Sequence, residues 1–173
     1  MYKDELIKAM EWLGKKPKTM FLGQGCVKSG HFMAQTLKNV FLDKCLEFPV
    51  VESLQMQFSL GLAIKGYCPI SIYPRQNFLL LGVADMVLID KINHMSVGSC
   101  SPHLIIRSSS GPDGGVFPGI QHVGNFSEAF KTMLKWIKVV ELNKPEQVFS
   151  AYQQAYNYKG TTLILEDGNR YYD

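Results

Sequence analysis

The sequence has no Cys-x-x-Cys pair, no run of five or more Lys and Arg, no internal repeat and no low-complexity tract. It also has no apolar stretch of membrane-spanning length, since the longest, Phe78 to Ile89, is interrupted by Gly82 and Asp85. Each absence closes a class of function. Cys26, Cys45, Cys68 and Cys100 are too scattered for a zinc ribbon, and their apolar neighbours suit buried free thiols in a reducing cytoplasm. A net charge of +3 with interspersed signs gives no phosphate-binding stripe for nucleic acid. The opening Met-Tyr-Lys-Asp-Glu-Leu lacks the apolar core of a secretory leader, so a cytoplasmic protein is expected.

What is present suits a compact fold. The chain has 173 residues, 46% hydrophobic and 19% charged, which is enough apolar material for one core and one domain over 1–173. Apolar spacing predicts a helix over Tyr2–Leu13, with Leu6, Met10 and Leu13 on one face. Short strands are expected at Thr19–Leu22, Leu46–Val51, Pro69–Tyr73, His103–Arg107, Lys138–Glu141 and Thr161–Leu165. Between them fall helices at Gly30–Phe41, Ser53–Lys65, Asn77–Met95, Ser127–Trp136 and from Pro145 to about Tyr156. In the second of these, Leu54, Phe58 and Leu62 form one stripe, and Gly61 and Ala63 are small enough for close helix approach. Regular alternation predicts an α/β fold of three layers, α/β/α, around a mostly parallel six-stranded sheet. Ligands of such sheets bind at the carboxyl ends of the strands, where Glu52, Arg107 and the Gly- and Ser-rich stretch Ser108 to Asn125 are expected.

The residues alone leave several roles open. Glu52 begins a helix, where a carboxylate complements the dipole and can simply stabilise the first turn. Phe78 fits an apolar helix core, and His122 fits a solvated loop. His31, His94 and His103 read as structural. Ser108 to Gly115 has the composition of an anion-binding nest, but no Lys-bearing phosphate loop follows it.

An ordered set of segments resembles the pyrimidine-binding domain of the transketolase-like thiamine-diphosphate enzymes, nearest to the beta subunit of the 2-oxoacid dehydrogenases. Pro49-Val50-Val51-Glu52 stands for the family's Pro-Ile-Ser-Glu turn. Gly61-Leu62-Ala63, Gly66, Pro69-Ile70 and Asn77-Phe78 follow at the family's intervals. Arg107, Gln121-His122-Val123-Gly124 and Glu128-Ala129-Phe130 come next in the family's order. Leu22-Gly23-Gln24 and Ser29-Gly30-His31-Phe32 are similar to its first strand and turn, and Leu163-Ile164-Leu165-Glu166 to its last strand. The resemblance covers about residues 18 to 167.

It implies thiamine diphosphate as cofactor. It gives Glu52 the carboxyl that faces the pyrimidine ring nitrogen and favours the imino form, whose nitrogen takes the proton from the thiazolium carbon. It makes Phe78 the ring stacked on the pyrimidine, Gln24 a further cofactor contact and His122 the group facing the substrate carbonyl. It gives Asp85 a supporting or interface role. Met86 and Val123-Gly124 depart from the family's Gln and Ser-Gln, which bears on substrate contacts. The family's Gly-Asp-Gly…Asn motif, which holds the diphosphate through Mg2+ or Ca2+, has no counterpart here, so the chain itself is expected to ligate no metal. The resemblance therefore implies a diphosphate-binding partner subunit in an α2β2 heterotetramer. The implied activity makes or breaks a C–C bond beside a carbonyl, by two-carbon transfer from a ketose or decarboxylation of a 2-oxoacid. A regulatory subunit that keeps the fold without catalysis, and a flavodoxin-like nucleotide binder, are the alternatives.

Overall fold

The computed structural model describes residues 1–95, 101–111 and 117–172. Cys100 and much of the Gly- and Ser-rich loop lie outside the described residues. Six parallel strands form one sheet: β1 (Thr19–Gly23), β2 (Cys45–Glu47), β3 (Cys68–Tyr73), β4 (Ile105–Ser110), β5 (Lys138–Leu142) and β6 (Thr162–Asp167). Their order is β2-β1-β3-β4-β6-β5.

Side-chain alternation along the strands builds a core on each face. On one side Phe21, Ile70, Ile72, Ile105 and Ile164 meet α1 (Tyr2–Gly14) and α6 (Pro145–Asn157), through Leu6, Met10, Leu13, Val148 and Tyr152. On the other, Leu104, Ile106, Leu163 and Leu165 meet α2 (Glu52–Ile64), α4 (Val83–Met95) and α5 (Ser127–Met133), through Met56, Met86, Ile89 and Phe130. The short helix α3 (Gln76–Leu79) precedes α4. Burial of such side chains stabilises by roughly 1.5–3 kcal/mol each, which is why the period-two pattern fixes the register.

The connections create a switch point between β1 and β3. The segment after β1 packs on the α1–α6 face through Phe32, Met33 and Leu37, whereas α4 after β3 packs on the opposite face. Beyond the neighbouring β4 the same division recurs: α5 follows β4 on the α2–α4 face, and Tyr171 follows β6 on the α1–α6 face. Crevices open at the carboxyl ends of strands where connections diverge in this way.

Four expectations are corrected. The helix expected over Gly30–Phe41 is a series of turns with 3-10 segments at Ala34–Leu37 and Leu42–Lys44. Its backbone bonds are partly of the tighter kind, Thr36 N–H to the Met33 carbonyl and Val40 N–H to the Leu37 carbonyl, and the His31 ring accepts the Ala34 N–H. The strand expected over Leu46–Val51 ends at Glu47, because Pro49 has no N–H to extend the ladder. The helix expected over Asn77–Met95 breaks into α3, a 3-10 turn at Leu80–Gly82, and α4. Buried Gly82, a poor helix former, lies at that break against the first turn of α2, where a built Cβ would stand 3.5 Å from the Glu52 carbonyl oxygen. The fourth concerns Arg107, which sits inside β4 rather than at its end, because pairing with β6 continues through Ser108, Ser109 and Ser110.

No helix among the described residues is long and apolar enough to cross a membrane.

Candidate active site

Glu52 is the first residue of α2, whose N-terminus points toward the carboxyl ends of β1 and β3. Its side chain is half-buried rather than enclosed, and its carboxylate has no hydrogen-bond or ion-pair partner among the described residues. The backbone beneath it is firmly held. The Tyr73 hydroxyl, at the end of β3, donates to the Glu52 carbonyl at 3.3 Å and accepts from Ser71 at 3.4 Å. Buried Gln55, one turn along the helix face, donates from its amide to Ser71 Oγ (3.0 Å), the Ile72 carbonyl (3.1 Å) and the Leu22 carbonyl (3.4 Å). Ser59 extends this ladder to Ser71 at 3.0 Å. On the other flank Asp85 accepts from Ser53 Oγ (2.5 Å) and Gln57 Nε2 (3.0 Å), which ties α4 to the same turn. A carboxylate left unpaired on a turn held from three sides is placed to meet a proton donor or acceptor from outside the chain.

Phe78 and His122 lie together, with ring centroids 5.2 Å apart at 51°. A clamp from the start of α3 holds the loop that carries His122. Asn77 accepts the Gly124 N–H at 3.1 Å, and fully buried Gln76 accepts the Phe126 N–H at 2.5 Å while donating to Ser127 Oγ at 3.3 Å. Arg75 reaches the His122 carbonyl at 3.5 Å. The Gln121 amide lies 3.3 Å from His122 Nε2, and His122 Nδ1 is buried without a partner among the described residues.

Gln24 follows β1 and is exposed; it holds the loop through its backbone carbonyl, 2.7 Å from His31 Nε2. Gly23 before it has no substitute, since a Cβ there would stand 2.7 Å from the Ile72 carbonyl oxygen and 2.9 Å from Cys26 Sγ. The histidines read as structural are all engaged: His31 in its loop, His94 stacked 3.9 Å over Trp136, and His103 Nε2 3.4 Å from Cys68 Sγ.

Burial holds the His31 imidazole below its ordinary pKa, and the positive charges of Arg107 and Arg75 add to this; burial does the same to His103. A base whose folded pKa is depressed binds fewer protons folded than unfolded. It therefore contributes stability that is present above the unfolded value near 6.5 and is lost as pH falls below it. The urea midpoint is expected to fall between pH 7 and pH 5.5, and His31→Asn should flatten that slope. An unchanged slope in the variant would exclude His31 as its source.

Arg107, expected at a strand end near the site, does not join it. Arg107 is fully buried and paired with Glu166 on the α1–α6 side of the sheet. Phe58 faces outward on α2, 42% exposed and 5.3 Å from Phe48. Gly61 and Ala63 point to opposite sides, Gly61 exposed and Ala63 buried. Sequence reasoning missed the Gln55–Ser59–Ser71–Tyr73 ladder and the Gln76 clamp. The signal for the ladder was there: Gln55 and Ser59 recur at helical spacing on the side of α2 away from Leu54, Phe58 and Leu62.

Among the described residues no group of three or more His, Cys, Asp or Glu is arranged to hold a metal ion.

No family model and no curated protein matches the sequence. Solved structures do match in fold. A split-gene transketolase described as an inactive beta4 tetramer superposes with a TM-score of 0.64 at 14% identity, over 96% of this chain and 51% of that one. Transketolase from Leishmania mexicana gives 0.72 at 14% identity, over 96% and 25%. Benzoylformate decarboxylase from Polynucleobacter necessarius gives 0.65 at 12% identity, over 94% and 32%. The chain thus has the transketolase-like α/β fold of thiamine-diphosphate enzymes. It spans about half the length of the split transketolase chain and a third or less of the other two.

Proposed function

We propose that this chain is the pyrimidine-binding half of a two-component thiamine-diphosphate enzyme. The observation that carries the proposal is the unpaired Glu52 carboxylate, held on a braced helix turn at the β1–β3 switch point of a fold that thiamine-diphosphate enzymes share. When bound, the cofactor would supply a thiazolium carbon able to act as a nucleophile toward a carbonyl. Glu52 would exchange a proton with its pyrimidine nitrogen, and Phe78 and Gln24 would hold the ring. His122, beside Phe78, steadies charge on the substrate oxygen. The substrate is a ketose or a 2-oxoacid, and the reaction is two-carbon transfer or decarboxylation with acyl transfer.

The diphosphate and its Mg2+ or Ca2+ belong to a partner chain with a Gly-Asp-Gly…Asn motif, in an α2β2 assembly inside the cell. The outer face of α2 and its surroundings are ready to be covered: Val50, Val51, Leu54, Phe58, Leu81 and Leu88 are 42–65% exposed. An apolar patch of this kind marks an association surface. Phe58→Asp, at a position 42% exposed beside Phe48, is expected to lower the assembled mass in analytical ultracentrifugation with little change in melting temperature. An unaltered sedimentation profile would move the interface elsewhere.

The test of the proposal is reconstitution. The chain alone should not retain thiamine diphosphate in calorimetric titration, and the complex with its diphosphate-binding partner should. Tight retention by the isolated chain, or none by the complex, would overturn it.

A further inference from the structure

A second crevice lies between the carboxyl ends of β4 and β6. It encloses about 210 Å3, roughly the volume of seven waters and below the pockets of drug-sized ligands. Its wall is mostly polar, with Leu165 the one aliphatic side chain lining it among the described residues. The segments after β4 and β6 leave toward opposite faces of the sheet, which separates the two strand ends.

The lining is specific in its chemistry. Two carboxylates face the space, and each is already paired: Glu141 with Lys131, and Asp167 with Arg170 at 3.3 Å. An anion would meet both carboxylates. A cation would have to displace an existing partner. What remains uncommitted is neutral and two-sided. Ser110 Oγ and the Asn143 side-chain amide have no hydrogen-bond partner among the described residues. Asn169 commits its amide nitrogen to Asp167 at 3.0 Å and leaves its oxygen to the crevice. Ser127, 4% exposed and fixed by Gln76 at 3.3 Å, brings a further hydroxyl. Gly111 adopts φ +78°, and a Cβ there would stand 2.7 Å from Asn169 Nδ2, so only glycine leaves that side open. Donors and acceptors alternate around a small volume with little apolar surface.

We propose that this crevice binds an uncharged, polyhydroxylated small molecule. Each ligand hydroxyl can donate to one wall group and accept from another, which a phosphate or an ammonium group cannot do. The inference rests on the lining alone and is independent of the thiamine reading.

The test is ligand-observed saturation-transfer NMR on the whole chain with xylitol, glycerol 3-phosphate and 1,4-diaminobutane. Xylitol is expected to bind, with the other two about tenfold weaker or worse. Asn143→Leu and Ser110→Val should each weaken xylitol by about three- to tenfold while melting as wild type, since neither side chain bonds within the chain. Glu52→Gln should leave the xylitol signal unchanged, so that this proposal and the cofactor reading fail separately. Glycerol 3-phosphate or the diamine binding as well as xylitol would overturn it. So would the absence of xylitol transfer at high concentration, or unchanged binding in both well-folded variants.

Discussion

Glu52→Gln is expected to lower thiamine-diphosphate-dependent turnover of the reconstituted enzyme by about 10²–10⁴-fold, the usual size of a lost general acid–base contribution. The amide keeps the shape and can still hydrogen-bond a ring nitrogen, but it cannot exchange a proton with it. The substitution should not unfold the chain. The Glu52 side chain has no internal partner, and the first turn of α2 is held through its backbone by Tyr73 and through Gln55. Its only stability cost is a helix-dipole interaction of about 0.3–1 kcal/mol. Melting temperature and turnover therefore separate. A large loss of turnover at constant melting temperature assigns the acid to chemistry, whereas constant turnover returns Glu52 to a helix-terminal role and leaves the chain a regulatory subunit.

The opposite signature is expected at Arg107. Its guanidinium is fully buried, with Nε 2.7 Å and Nη2 3.1 Å from the two oxygens of equally buried Glu166. It also donates to Thr36 Oγ1 at 3.2 Å and lies 3.3 Å from Met10 Sδ, while Tyr152 and Tyr171 donate their hydroxyls to the same carboxylate. Burial raises the Tyr152 phenol well above its ordinary pKa, so it stays a donor. Arg107→Met strands the Glu166 carboxylate in the core, and breaking one side of such a pair costs about 3–5 kcal/mol. For a chain of this size that corresponds to a melting-temperature drop of about 6–20 °C. The double variant Arg107→Met with Glu166→Met removes both charges and should recover most of the loss. If the double variant melts as low as the single one, the cost comes from packing around the stem rather than from an unpaired charge.

These two residues also show what the sequence made legible. The alternation of apolar strands and helical stretches was enough for the parallel sheet, because the four central strands are buried on both faces. The contact of Phe78 with His122 was not legible, since it depends on the clamp from Gln76 and Asn77 that brings the second loop to the first. Arg107 was misplaced because a charge in an apolar strand reads as a strand end. Only the partner 59 residues away, Glu166, makes its burial tolerable, and nothing local announces that pairing. The helix expected after Gly30 gives way to short 3-10 turns, in which the His31 ring accepts the Ala34 N–H and Thr36 and Val40 bond three residues back. In α2 the apolar stripe was seen correctly, but a stripe does not say whether it faces the core or a partner. Here the buried side is the one carrying Gln55 and Ser59, bonded to the sheet, and Leu54 and Phe58 look outward.

The most direct measurement is deuterium exchange at the thiazolium carbon of thiamine diphosphate, followed by proton NMR in the assembled enzyme without substrate. It reports cofactor activation alone, before any substrate contact or product release. With the natural chain the exchange should run far faster than in free cofactor, and with Glu52→Gln it should fall back toward the free rate while the cofactor stays bound. Equal, fast exchange in both assemblies would contradict the assignment of that proton relay to position 52.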